Sequence, residues 1–186
     1  MSLRSRQFTD AYLDIETTGL SRGFDNITVI GMFLCSARDS KLIQLFGRQV
    51  TKDNLLESLQ DVEILYTYNG RRFDLPFIAA RLGADLTALY RHRDLMYDCR
   101  RNNLFGGFKA VEQQLGIPRR LKGMCGADAV TLWKCYDEKG DHEALRTLLQ
   151  YNKEDVVNLR FLKDHLEKWG IYPEIHEIRV SRDAPL

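Results

Sequence analysis

Apolar and polar positions change their period midway along this chain of 186 residues. In the first third they alternate or run in short blocks, the signature of strands. Ala11–Glu16 alternates and stops at Thr17-Thr18-Gly19, where the glycine marks a turn. Ile27–Ala37 is a β-rich run carrying Ile27, Val29, Ile30, Phe33 and Leu34. A turn at Asp39-Ser40 and a third strand over Lys41–Phe46 complete a predicted antiparallel meander. Thr51 suits the N-cap of a helix with Leu55, Leu56 and Leu59 on one face. Val62–Tyr68 reads as a buried strand closed by Asn69-Gly70.

From there the period becomes helical. Asp74 is placed to cap a helix whose early Pro76 is tolerated in the first turn, and which ends at Gly83. Leu95–Tyr97 reads as a short strand. Phe108–Leu115, Ala127–Tyr136 and Glu143–Trp169 read as helices, the last long and amphipathic. A meander followed by strands and helices is an α/β pattern. It predicts a mixed central sheet flanked by helices, in one domain over 1–186 with a core of about 8–169 and a C-terminal tail over 170–186.

Composition narrows the class. With 27 Lys and Arg against 26 Asp and Glu, the net charge of +1 gives no global basic signature. Apolar runs are short, so no transmembrane span is expected. Met1–Asp10 is polar, with Arg4 and Arg6 and no apolar block, so no signal peptide is expected either. Cys35, Cys99, Cys125 and Cys135 have no C-x-x-C spacing, and His92, His142, His165 and His176 are scattered. They read as reduced thiols of a cytoplasmic protein, without a zinc site.

The candidate chemistry lies in three segments. A strand through Tyr12-Leu13-Asp14-Ile15-Glu16 puts Asp14 and Glu16 on one face and Leu13 and Ile15 on the other. Tyr151 and Asp155, four apart, share one helix face. Clustered carboxylates repel unless cations neutralise them, and hard oxygen ligands suit Mg²⁺ or Mn²⁺. Read singly, Asp14 and Glu16 also fit a solvent-facing strand end, Asp74 a helix cap, and Tyr151 with Asp155 an ordinary amphipathic pair.

Together the segments resemble the DEDD superfamily of 3′–5′ exonucleases, which have an RNase H-like fold. Asp14-Ile15-Glu16-Thr17-Thr18-Gly19-Leu20 is similar to its first motif, Asn69 to Phe77 with Asp74 to its second, and Tyr151 with Asp155 to the tyrosine form of its third. Gln150 stands where the histidine form would have its histidine. Asp94-Leu95, Phe108–Glu112, Leu115–Ile117, Gly126–Trp133 and Leu148–Asn152 resemble predicted exonucleases of the YprB type. The resemblance implies two Mg²⁺ or Mn²⁺ ions about 3.5–4 Å apart. Asp14 would bridge them, Glu16 and Asp155 would hold the ion that activates water, and Asp74 would support the other, mostly through water. A phenol with an ordinary pKa of about 10 is a poor base at neutral pH, so Tyr151 is expected to orient the water.

The substrate implied is a single-stranded nucleic acid or a 3′ end, DNA or RNA, released as nucleoside 5′-monophosphates. Thr17, Thr18 and Leu20 follow the catalytic strand, where relatives touch terminal nucleotides, and Asn69 lies on the second motif's loop. Phe73 reads as core. Between Arg91 and Lys122 eight basic residues face only Asp94, Asp98 and Glu112. Within that stretch Arg119 and Arg120, in a glycine-containing loop, are the candidates for a mobile phosphate contact; a solvated charged face fits the same stretch. An exoribonuclease trimming RNA 3′ ends, a proofreading domain requiring a polymerase partner, and a catalytically silent nucleic-acid-binding module remain alternatives.

Overall fold

The computed structural model describes residues 9–168. The tail expected over 170–186, with His176, lies outside them, as do Arg4, Arg6 and Trp169. Strands β1 (Asp10–Thr17), β2 (Ile27–Cys35) and β3 (Ser40–Phe46) form the expected meander, with Asp14 opposite Gly31 and Met32 opposite Ile43. β4 (Ile64–Thr67) joins β1 in parallel, and β5 (Arg91–Asp94) joins β4 in parallel. The order β3-β2-β1-β4-β5 is a mixed five-stranded sheet with β1 at its centre. It is the sheet of an RNase H-like fold.

Thr51 caps α1 (Lys52–Ser58), its hydroxyl accepting from the Asn54 amide at 3.2 Å. α2 (Asp74–Leu82) ends at Gly83, which takes a left-handed conformation with φ +63°. The short α3 (Leu86–Leu89), capped by Asp85, was not expected. The predicted strand at Leu95–Tyr97 is instead the start of helix α4 (Leu95–Arg101). Asp94 accepts from the Met96 amide at 3.2 Å and so starts a helix there, while the strand lies just upstream in the polar run Arg91–Asp94. α5 (Phe108–Leu115), α6 (Gly126–Lys139) and α7 (His142–Lys168) complete the order.

The helices cover both faces of the sheet. Ala11, Leu13 and Ile15 of β1 pack with Leu55, Leu75, Phe77, Ile78 and Leu86 of α1, α2 and α3, and with Leu59 just after α1. On the other face Tyr12 packs with Leu95, Val111, Leu159 and Leu162 of α4, α5 and α7, and Val29 with Ala129 and Leu148. All four cysteines are free, with Cys35 and Cys99 buried. Among the described residues, no helix is long and apolar enough to cross a membrane.

Candidate active site

β1 runs beyond its neighbour. Its pairing with β4 ends at Tyr12, whereas its pairing with β2 continues to Thr17, so its last residues border a cleft. Alternation sends Leu13 and Ile15 into the apolar core and leaves Asp14 and Glu16 towards α7. Past the end of β4, the Ile15 amide donates to Oδ1 of Asp74 at 3.1 Å. Asp74 therefore does not cap α2 with its side chain. It is the first helical residue, Phe73 stands at the cap position without a side-chain bond, and the carboxylate reaches across to β1.

α7 brings the third segment to the same place. Asp14, Glu16 and Asp155 each offer a carboxylate oxygen, all within 4.8 Å of one another. Tyr151, one turn before Asp155, is buried and lines the same cavity. Asn152, absent from the sequence-based set, is fully buried. Its amide nitrogen lies 3.3 Å from Asp14 Oδ2 and 3.4 Å from the Asp14 carbonyl, and its Oδ1 accepts from Gln44 Nε2 at 3.0 Å. Room for that amide comes from Gly31, opposite Asp14 on β2: a Cβ there would sit 2.1 Å from Asn152 Oδ1. The sequence signals were a glycine inside an apolar strand and an asparagine next to Tyr151.

The electrostatics follow from burial. Desolvation, then mutual repulsion, holds the Asp14 and Glu16 carboxyls well above the ordinary carboxylate range. Burial raises Asp74 to about 7 against the bonds from backbone amides, and raises Asp155 to about 6 against the pull of Arg119. Glu16 is 7% exposed, and its Oε1 is buried without a hydrogen-bond partner. An all-oxygen donor set with an orphaned buried carboxylate oxygen fits a hard divalent cation. Two side-chain cations stand beside this cluster. The Lys109 ammonium donates to the Tyr151 hydroxyl and the Met124 carbonyl, and Arg119 donates to Asp155 and Glu112. Burial and the neighbouring carboxylates push the Tyr151 phenol upward, so it stays protonated at neutral pH.

A cavity of about 690 Å³ opens over these groups, a size suited to small ligands. Its lining includes all five catalytic candidates, together with Thr17, Thr18, Leu20 and Asn69. Leu20 is 84% exposed. The Thr18 hydroxyl donates to Asp25 at 3.1 Å and accepts from the Asn26 amide at 3.0 Å, tying down the loop that carries Leu20. Asn69 adopts a left-handed φ of +62°, its amide donating to Asp94 Oδ1 at 2.7 Å. Phe73 packs against the core as expected but also lines the cavity. Arg119 and Arg120 do not line it. The Arg119 side chain is 8% exposed and paired with carboxylates, and Arg120 borders a separate groove with Lys153 and Phe161. The loop itself is fastened: the Arg120 and Leu121 amides donate to Glu154 at 3.1 and 3.2 Å, and Asn158 donates to the Pro118 carbonyl.

Known proteins resemble this chain at two levels. Over 192 residues it is 29% identical to the uncharacterized protein YprB of Bacillus subtilis, covering 93% of this chain and 45% of that protein. The chain thus spans less than half the length of that relative. Among solved structures, the family B DNA polymerase of Pyrobaculum calidifontis superposes with a TM-score of 0.66 at 16% identity, over 88% of this chain and 25% of the polymerase. Brucella melitensis NrnC superposes with a TM-score of 0.56 at 20% identity, over 91% of this chain and 79% of NrnC. NrnC is also known with bound Mg²⁺ and bound to pGG. The family model of the RNase H superfamily matches residues 11–167, from β1 to the end of α7, and the chain belongs to that superfamily.

Proposed function

We propose that this domain is a divalent-metal-dependent 3′–5′ exonuclease of the tyrosine branch of the DEDD group, cleaving single-stranded nucleic acid or 3′ ends to nucleoside 5′-monophosphates. The observation that carries the reading is the convergence of Asp14, Glu16 and Asp155 oxygens within 4.8 Å, beside Asp74 and Tyr151 in one cavity. Without metal, such crowding is relieved by proton uptake at the carboxyls, by the neighbouring cations Lys109 and Arg119, and by hydrogen bonds from Asn152 and the Ile15 amide. Two Mg²⁺ or Mn²⁺ ions bound there would supply water activation and neutralise charge on the attacking and leaving oxygens. Asp14 would be among the residues that hold them. Glu16 and Asp155 would complete one site, and Asp74, anchored by the Ile15 amide, would support the other. The Tyr151 hydroxyl, already accepting a hydrogen bond from Lys109, would direct its own hydrogen to the incoming water and orient it. Leu20, Thr17 and Thr18 would meet the terminal nucleotide, and Asn69 would brace it from the second motif's loop. The binding of pGG by NrnC is in keeping with a short nucleic-acid ligand in this fold.

The test is degradation of matched DNA and RNA oligonucleotides labelled at the 5′ end, with Mn²⁺ or Mg²⁺. A ladder that shortens from the 3′ end, is stopped by EDTA and is absent in Asp155→Asn is the expected result. Activity surviving exhaustive chelation, or unaffected in Asp155→Asn, would reject the metal site. Binding without turnover under every metal would point to the catalytically silent module instead.

A further inference from the structure

We propose that Arg119, held in place by Glu112, is the positioning residue that fixes the Asp155 carboxylate for metal binding. This rests on Asp155 being a metal ligand. Three elements meet in one buried chain of hydrogen bonds: α5 through Glu112, the loop after Gly116 through Arg119, and α7 through Asp155 and Asn158. Asn158 Nδ2 donates to Glu112 Oε1 at 2.7 Å, and Arg119 Nε donates to Glu112 Oε2 at 2.6 Å. Both Glu112 oxygens are thereby engaged, and Glu112 is 2% exposed, so its carboxylate is immobilised. Arg119 Nη2 then donates to Asp155 Oδ1. Holding one carboxylate oxygen removes rotation about the Cβ–Cγ bond and sets the direction of the other. Metal ligands are commonly oriented in this way by groups that never touch the metal.

The Glu112–Arg119 pair alone would already neutralise the buried guanidinium, so the second carboxylate, Asp155, needs its own reason. Arg119 Nη1 is buried without a partner, so the guanidinium is not placed by a complete hydrogen-bond shell; its two carboxylates place it. The rigid planar fork of arginine spans two acceptors at fixed angles, which an ammonium cannot do. The surrounding loop is tied to α7 by Glu154 and Asn158 and to α5 by Lys109, through Met124, so the backbone that carries Arg119 cannot shift without breaking those bonds. The competing account is that Arg119 merely serves as counter-ion to crowded carboxylates. The two accounts predict opposite effects when the charge is removed.

The experiment is calorimetric titration of the purified protein with Mn²⁺ alone, alongside thermal melting to verify folding. In Arg119→Lys the charge stays and the fork is lost, so positioning predicts that the Mn²⁺ dissociation constant rises by about 10–100-fold. In Arg119→Gln positioning again predicts weaker binding, whereas a counter-ion role predicts tighter binding, because a repelling charge has gone. Mn²⁺ affinity within about twofold of wild type in Arg119→Lys, or tightening in Arg119→Gln, overturns the proposal. If either variant does not fold, Asn158→Ala serves in its place: it removes the neutral hydrogen bond that anchors Glu112 and leaves every charge of the cluster, so weaker Mn²⁺ binding supports positioning and wild-type affinity overturns it. Asp155→Asn separates the two readings. If it leaves Mn²⁺ affinity unchanged, the failure lies in the metal site itself.

Discussion

The two faces of the central strand do different work. Towards α1, α2 and α3, β1 presents Ala11, Leu13 and Ile15 to an all-apolar cluster. Towards α7 it presents Tyr12 to an apolar patch, then Asp14 and Glu16 to Asn152 and Asp155. One strand of period two thus anchors the domain with one set of residues and builds the site with the other. Burial is stabilising on the first face. On the second it desolvates like charges and is tolerated only with Asn152, Lys109 and Arg119 in place. Stability and chemistry should therefore separate by residue parity.

The largest effects test that separation directly. Leu13→Ala, at a fully buried position, should lower stability by about 2–5 kcal/mol in denaturant unfolding. Asp14→Ala, one residue away, should abolish metal-dependent nuclease turnover while the metal-free protein melts at or above the wild-type temperature, since carboxylate repulsion is relieved. A large loss of stability in Asp14→Ala would show that the second face also anchors the fold.

Next in size is Gly31→Ala, which strikes the second face from β2. The new methyl would meet the Asn152 amide at 2.1 Å and force it away from Asp14 and Gln44. Overpacking of this kind costs about 1–3 kcal/mol. Mn²⁺ binding should weaken with it, whereas an apolar-face variant such as Leu13→Ala should bind Mn²⁺ normally once folded. Equal Mn²⁺ affinity in Gly31→Ala and wild type would remove Asn152 from the site.

The two faces also differ in how much could be read from the chain. The apolar face follows from periodicity, and β1, β2, β3, α1, α2, α5, α6 and α7 lie where the pattern of apolar residues puts them. β5 escaped because a four-residue strand, Arg91-His92-Arg93-Asp94, pairs on one side only and carries no apolar alternation. The convergence of Asp14, Glu16 and Asp155 was readable because alternation and helical spacing aim them, whereas Asp74, read as a helix cap, joined them only through the resemblance. Their supports were not. Arg119 has the look of a mobile basic loop residue, and its partners Glu112 and Asp155 lie 7 and 36 residues away. Asn152, on α7, acquires its meaning through Asp14, Gly31 and Gln44, which stand on three strands of the sheet. No local pattern reports such contacts.

The raised carboxyls give a smaller, graded effect. Asp155 at about 6 and Asp74 at about 7 lie above their ordinary value of 3.8, so between those values the folded state holds protons that the unfolded chain has released. Stability of the metal-free protein is therefore greatest below pH 4 as far as these groups decide it, and it declines as pH rises through about 6 to 7. The melting temperature should fall from pH 5 to pH 8 without metal, and added Mn²⁺ should raise it more at pH 8, where no bound proton has to leave. Variants of the apolar face should keep this slope. In Asp155→Asn it should flatten, and an unchanged slope there would contradict the assigned carboxyl.

The smallest change to the fold comes from Tyr151→Phe, which keeps the ring on the second face and removes only its hydroxyl. Stability should move by no more than about 1 kcal/mol, the usual net worth of one hydrogen bond. Burial and the nearby carboxylates keep the phenol protonated at neutral pH in the metal-free protein, which supports the proposed reading of the group as a hydrogen-bond donor. The variant should bind Mn²⁺ as wild type does, since no carboxylate is disturbed. Its rate should fall by less than the roughly 10²–10⁴-fold expected of a group that transfers the proton itself. The acidic limb of the rate–pH profile should persist, because it reports ionisation at the carboxylates and not at Tyr151. Disappearance of that limb in Tyr151→Phe would make the tyrosine the titrating group. An unchanged rate at every pH would leave its bond to Lys109 as a packing feature of α7.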